Sequence, residues 1–241
     1  MTKLYEAGEH LLICSGYSDP AEHQHMAAHV LISMGEDLDA IFPDRQVRCR
    51  GILIPSGVSH RIQTHGEQVL VFLWDSTTYV SAQITQIQTV PGFVCDGIVS
   101  RYRAYEAQGD YADFLTFTLQ QLCLRDTGSC VKDARIREAM DFIDTHISEQ
   151  LTCRGIAQAV YLSPSRLSHL FREQLGMTIP AYIIYRRLMF VYAEVIRGRS
   201  ITQSAIAAGF SSSGHFADVS RRVFGLSATQ ITRDLDFTKI P

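Results

Sequence analysis

The stretch Ser163–Gly176, SPSRLSHLFREQLG, writes both ends of a helix into the chain. Ser163 is a capping residue whose side-chain oxygen can accept from the first turn. Pro164 takes a first helical position, where no N–H is needed. Gly176 is able to adopt the left-handed conformation that stops a helix. Between them Leu167, Leu170, Phe171 and Leu175 recur at helical spacing and make one apolar stripe. Ser165, Arg166, Ser168, His169 and Arg172 lie off that stripe. They are short polar or basic side chains, suited to phosphates and base edges.

A second copy lies downstream. Ala157–Ser163 (AQAVYLS) aligns with Ala205–Ser211 (AIAAGFS) at an offset of 48, and Leu167–Thr178 aligns with Phe216–Ser227 at an offset of 49. Gly176 and Gly225 end the paired helices. A short helix, a tight turn and a second helix on an apolar stripe is a helix-turn-helix pattern. Two such units, joined by a helix from about Pro180 to Arg197, can set two recognition helices about 34 Å apart, one DNA turn. The alternative is a helical hairpin repeat used for packing or protein contacts. Cations on both second helices favour DNA: Arg166, His169 and Arg172 in one, Arg221 and Arg222 in the other.

Working outward, the whole C-terminal part reads as helical. Arg135–Ile147 carries Ile136, Met140, Ile143 and Ile147 on one face, and Thr152 caps the helix that follows. SITQ (200–203) and SATQ (227–230) are capping boxes, a Ser followed three residues later by Gln. Upstream, residues 1–95 are strand-rich. HVLISM (29–34), GILIPSG (51–57), HRIQT (60–64) and QVLVFLWD (68–75) are short apolar, β-branched runs cut by Gly, Pro and Asp. They predict a small antiparallel barrel or sandwich. From about residue 97 two helices are expected, parted near Gly109-Asp110, with DTGSC (126–130) as a linker. The expected fold class is α+β in two domains. Residues 1–95 form a β-barrel, 96–130 a helical linker or dimerisation segment, and 131–241 the paired helix-turn-helix domain.

Totals narrow the classes. Hydrophobic residues make up 46% of the 241 and charged residues 20%, so the chain can bury real cores. No apolar run approaches the ~20 residues of a membrane span, and MTKLYEAGEH lacks a signal-peptide layout, so no membrane association and a cytoplasmic location are expected. The net charge of −3 is uneven: residues 1–130 carry −7 and residues 131–241 carry +4. A basic C-terminal part suits nucleic acid. Cys14, Cys49, Cys95, Cys123, Cys130 and Cys153 form no C-x-x-C pair, and read as free thiols.

On these residues, 134–234 resembles the C-terminal domain of AraC/XylS-type transcriptional regulators. The resemblance rests on LSPSRLSHLFREQLGMT, then Tyr182, Arg187 and Leu188, then ITQSAIAAGF and HFADVSRRVFGLS. It implies a seven-helix module that places two recognition helices in adjacent major grooves. Carried over residue by residue, the DNA-facing positions are Ser165, Ser168, His169 and Arg172 in the first unit and Ser213, Gly214, Ala217 and Arg221 in the second. Arg166 and Arg222 are phosphate candidates. Arg187 is expected to hold the joining helix by buried hydrogen bonds. The sequence departs from the pattern at Ser220, in place of a second Phe, at Ala228, in place of Pro, and at Val191, in place of a small Ala. Asp218 puts a carboxylate on the recognition face, where it repels phosphate or accepts from a cytosine amine. The first unit is therefore expected to carry base reading.

The N-terminal part is similar to the two histidine motifs of cupin barrels, which AraC-type sensor domains often contain. GYSDPAEHQH (16–25) supplies His23 and His25, and GILIPSGVSH (51–60) supplies His60. The glutamate expected soon after His25 is missing, and His29 stands near its place. Two readings follow. His23, His25 and His60 hold a divalent metal such as Zn, Ni or Fe, or they line a ligand pocket with Arg50 and Trp74. The expected function is a sequence-specific DNA-binding transcriptional regulator, not an enzyme, whose barrel senses a small molecule or metal. Its expected partners are promoter DNA, RNA polymerase and a small-molecule effector, with a homodimer through residues 98–124 weighed against packing of those helices on the barrel. The rivals are a metal-dependent cupin enzyme fused to a DNA-binding module, and a regulator whose barrel serves only oligomerisation or protein contacts.

Overall fold

The computed structural model describes residues 2–7, 10–16, 21–24, 26–225, 229 and 235–239. The chain divides into two compact units. The first comprises residues 1–128 with 233–241, and the second residues 129–232.

In the first unit a seven-stranded sheet contains β1 (Thr2–Ala7), β2 (His10–Gly16), β3 (Ala28–Ser33), β6 (Gly51–Ile54), β8 (Gln68–Trp74), β9 (Gln88–Val90) and β10 (Leu235–Lys239). Their order is β10-β1-β2-β8-β3-β6-β9. A second, three-stranded sheet has the order β5 (Gln46–Cys49), β4 (Leu38–Ile41), β7 (Arg61–Gln63). The larger sheet ends in β10 on one side and β9 on the other, so the expected barrel does not close. All pairs are antiparallel except β1–β10. The helical reading from Ala134 onward thus misses a strand, Leu235–Lys239, which aligns Leu4 with Phe237.

Every residue of β3 is buried because the sheet is covered on both faces. Strand alternation sorts its side chains. Ala28, Val30, Ile32, Leu70, Phe72 and Trp74 point to one side, where they pack with α2 (Gly92–Gln108) and α3 (Tyr111–Gln121). Leu31, Val69 and Val71 point to the other, against Leu38, Ala40 and Ile62 of the smaller sheet. A short α1 (Tyr79–Gln83), capped by Thr78, precedes β9. At Gly51 a side chain would put Cβ 2.8 Å from Cys95 Sγ and 2.8 Å from Ile32 Cδ1, so glycine lets β6 approach α2 closely. The helices expected within 96–130 begin earlier, at Gly92, and Val94, Cys95, Ile98, Tyr102, Tyr111 and Phe114 belong to the sheet's core.

The second unit contains α4 (Ala134–Thr145), α5 (Cys153–Ala159), α6 (Pro164–Leu175), α7 (Ile179–Ile196), α8 (Ile201–Ala207) and α9 (Ser213–Phe224). Each start is capped as the local sequence demands. Asp133, Thr152, Ser163, Thr178, Ser200 and Ser212 all accept a backbone N–H from the first turn. Each such cap is worth ~1 kcal/mol. Gly176 and Gly225 end α6 and α9 with φ of 68° and 69°. Ser227, Ala228 and Gln230 of the SATQ box lie outside the described residues. Asp144 and Arg186 join α4 to α7 through two parallel hydrogen bonds of 2.7 and 2.8 Å.

Candidate nucleic-acid interface

The two helix-turn-helix units are α5–α6 and α8–α9. Their second helices superimpose in sequence at an offset of 49, which pairs the caps Ser163 and Ser212 and the buried anchors Leu167 and Phe216. On α6 the stripe Leu167, Leu170, Phe171 and Leu175 is buried. That burial turns Ser165, Arg166, Ser168, His169 and Arg172 outward, and all five are exposed. On α9, Phe216, Val219 and Ser220 are buried, Gly214, Arg221 and Arg222 are exposed, and Ser213 and Ala217 are half-buried. The expected DNA-facing positions therefore share one face of each helix.

Local contacts grade these positions. Ser168 Oγ lies 3.4 Å from Cys153 Sγ, so its hydroxyl already has a neighbour in α5. His169 Nε2 is 3.9 Å from Glu173 Oε2, one turn on, and both side chains are well exposed. In the second unit His215 holds the place of Arg166. Its Nδ1 is 3.1 Å from Ser211 Oγ, its ring stands edge-on to Phe210, and it is exposed. The offset of 49 marks His215 in the sequence, but it was not among the expected site residues.

Ser220 takes the place of Phe171. Phe171 packs edge-on to Tyr182, with ring centroids 5.3 Å apart. In the second unit Tyr192 fills the corresponding space. Its ring meets Phe216 at 5.9 Å and Phe224 at 5.5 Å, and its hydroxyl is 2.5 Å from Ser220 Oγ. Burial pushes the Tyr192 phenol above its ordinary range, so it stays neutral. The smaller residue in α9 is thus packed and hydrogen-bonded. Val191, in the joining helix, is fully buried in the same core.

Arg187 holds the joining helix in place, as expected. Its Nε donates to Ile147 O at 3.2 Å, Nη2 to Glu149 O at 2.7 Å and Nη1 to Gly209 O at 3.0 Å. One guanidinium thereby ties α7 to the chain after α4 and to the turn of the second unit.

In the N-terminal unit His23 and His60 come together. They exchange backbone hydrogen bonds of 3.0 Å in an isolated bridge, and their rings lie 4.4 Å apart. His29 joins them, with Nε2 3.1 Å from His60 Nε2. Burial pushes the His60 imidazole down to about 4, aided by His23, and burial also lowers His23. His25 lies outside the described residues, and with it part of the expected metal set. Among the described residues, no group of three or more His, Cys, Asp or Glu is placed to hold a metal ion. Trp74 lies apart from these imidazoles. His29 and Trp74 sit on strands of the same sheet, but the alternation that sends Trp74 toward the helices sends His29 to the opposite face. Trp74 stacks on Phe72 at 5.5 Å and on His10 at 5.9 Å, and its buried Nε1 has no hydrogen-bond partner among the described residues. His10, which the sequence reading missed, bonds Tyr111 Oη at 2.8 Å and is lowered to about 4 by burial. Arg50 bonds Asp96 at 3.0 Å, and its buried Nε has no partner among the described residues. No helix among the described residues is long and apolar enough to cross a membrane.

Comparison with known proteins accords with this geometry. Residues 156–234 match the helix-turn-helix domain family. The arabinose operon regulatory protein of Escherichia coli is 32% identical over 140 residues, covering 53% of this chain and 47% of that protein. The transcriptional activator RhaS of Citrobacter koseri is 29% identical over 112 residues, 45% of this chain and 40% of that one. The chain thus matches about half the length of such relatives, or less. Among solved structures, ToxT from Vibrio cholerae O395 covers 96% of each chain with a TM-score of 0.61 at 12% identity, a likeness of fold. The C-terminal unit is thus similar to the helix-turn-helix domain that these transcriptional regulators carry.

Proposed function

We propose that this protein binds promoter DNA sequence-specifically and regulates transcription, with α6 and α9 as the two reading helices. The observation that carries the reading is the pair of capped helices, each with its apolar stripe buried and its cations exposed, joined by one anchored helix. Ser165, Arg166, Ser168, His169 and Arg172 face DNA in the first unit. Ser213, Gly214, Ala217, Arg221 and Arg222 do so in the second, joined by His215. Arginines supply the salt-dependent phosphate contacts, and His169 and the serines read base edges. RNA polymerase is the partner that such promoter binding recruits or blocks.

The N-terminal unit is the site of regulation in this reading. Its aromatic layer between sheet and helices, with the orphaned Trp74 Nε1–H and the His10–Tyr111 pair, suits a small apolar effector with an acceptor group. A structure of ToxT contains an unsaturated fatty acid, which gives a first class of compound to screen. His23, His29 and His60 offer a second polar cluster, and metal analysis of untagged protein decides whether Zn, Ni or Fe occupies it with His25. A homodimer through residues 98–124 is tested by sedimentation. The decisive experiment selects binding sites from genomic DNA with the full chain. Enrichment of a common sequence, with affinity that falls steeply with salt, supports the reading. Binding without sequence preference overturns it.

A further inference from the structure

The turn of the first helix-turn-helix holds a side chain that local structure does not explain. Tyr161 adopts φ of 54°, in the left-handed region, where a bulky residue is strained. Its side chain is 95% exposed. The offset of 48 pairs it with Gly209, which takes φ of 80° at the same point of the second unit. The turn geometry therefore suits glycine in both copies, and the first copy departs from it. Gly209 is forced, because a Cβ there would lie 2.8 Å from the Arg187 guanidinium. No such neighbour stands over Tyr161, so a side chain is tolerated there, but none of the packing rewards it. Its phenol and ring meet no hydrogen-bonding or ring partner among the described residues. Another left-handed residue, His65, does have such a reason: its imidazole pairs with Asp39 at 2.8 Å.

Strain that the fold does not use is most simply used by a partner. Tyr161 stands two residues before Ser163, the cap of α6. When the N-terminal residues of a recognition helix enter the major groove, the chain leading into that helix leaves past the phosphate rim. Tyrosine hydroxyls are regular donors to phosphate oxygens. We infer that Tyr161 is a positioning residue for DNA, its hydroxyl donating to a backbone phosphate at the edge of the groove that α6 enters. The inference rests on the DNA-binding reading above. A neutral donor at that point fixes the register of α6 without releasing a counterion, which separates it from Arg172.

The test uses the full chain and a duplex carrying the selected site. Tyr161→Phe keeps the ring and removes the donor. Tyr161→Gly removes the strain as well. Both variants are expected to bind about tenfold more weakly, the loss of one hydrogen bond to a charged group, with the base preference and the salt dependence of the parent. Tyr161→Gly is expected to melt at a higher temperature, so weaker binding is not a folding defect. Neutral methylphosphonates placed along the duplex identify the phosphate. At one position they weaken the parent and leave Tyr161→Phe no weaker than it is on the natural duplex. Parent-like affinity of both variants overturns the inference while leaving DNA binding intact. A parent protein without sequence-selective binding removes the reading beneath it instead.

Discussion

Arg187 and Gly209 interlock: the arginine's Nη1 donates to the glycine's carbonyl at 3.0 Å, and its Nη2 lies 2.8 Å from where a Cβ on that glycine would stand. The same guanidinium bonds the carbonyls of Ile147 and Glu149. It is a fork that only arginine fills, since an ammonium has neither the span nor the planar spread of donors. Gly209 also carries φ of 80°, which penalises any side chain. Gly209→Ala therefore meets strain and a clash together and is expected to lower stability by about 1–3 kcal/mol. Arg187→Lys is expected to lose a similar amount, about 1–3 kcal/mol, by leaving carbonyls unsatisfied. Urea unfolding of the two variants measures both. If Arg187→Lys unfolds like the parent, the three bonds are not holding the helices together.

Tyr192 and Ser220 offer a cleaner accounting. Their hydroxyls meet at 2.5 Å inside a core that excludes water. Removing one hydroxyl strands the other, while removing both removes the problem. Tyr192→Phe alone and Ser220→Ala alone are each expected to cost about 1–3 kcal/mol. The double variant is expected to lie closer to the parent than the two single losses combined, with a coupling of about 1 kcal/mol or more in chemical unfolding. Strictly additive losses would show that the pair is only a near approach.

The C-terminal unit was legible because its signals are local. Ser163, Pro164 and Gly176 announce one helix in consecutive residues, and the offset copy announces the second, so the architecture needed no long-range information. The effect of Ser220 was not legible. The sequence showed a missing aromatic, but only the fold shows that Tyr192, on another helix, fills the gap. The N-terminal unit was harder because its strands are short and its pairings distant. QVRC (46–49) alternates over only four residues, too few to stand out, and β10 pairs with β1 across more than two hundred residues of chain. How far His23, His60 and Trp74 lie from one another was illegible at the same level. Which face of the sheet a residue points to depends on strand bounds and register, and alternation places Trp74 and His29, the imidazole that meets His60, on opposite faces.

Two buried imidazoles set a pH dependence. His10 and His60 are lowered to about 4 by burial, against about 6.5 for an exposed histidine. Between these values the unfolded chain binds protons that the folded chain does not, so stability falls as pH falls. It is fully present above about 6.5 and is lost progressively toward 4. Each histidine contributes a slope of about 1.4 kcal/mol per pH unit within that window. Chemical unfolding at intervals from pH 7 to 5 is expected to show a decline corresponding to about two protons, with His23 adding to it. His10→Gln, which keeps a hydrogen-bonding group near Tyr111, is expected to remove about one proton from that slope. A flat profile would mean that these imidazoles titrate alike in the folded and unfolded chains.

The two reading helices differ where His169 in α6 corresponds to Asp218 in α9. Both positions are exposed; in the proposed reading the imidazole reads a base edge and the carboxylate repels phosphate. Arg172 and Arg221, also paired by the offset, are the phosphate donors of the proposed reading. Arg172→Ala and Arg221→Ala are each expected to weaken binding to all sequences and to lower the salt slope by about 0.9. His169→Ala is expected to relax the preference at one or two base pairs of one half-site, at about 1–3 kcal/mol per pair. Asp218→Asn removes a repulsion and is expected to raise affinity for unrelated DNA more than for the selected site. Fluorescence anisotropy on both duplexes at several salt concentrations reads all four variants. If Asp218→Asn instead loses preference at a cytosine, the carboxylate is reading a base, and the second helix carries more of the specificity than its charge suggests.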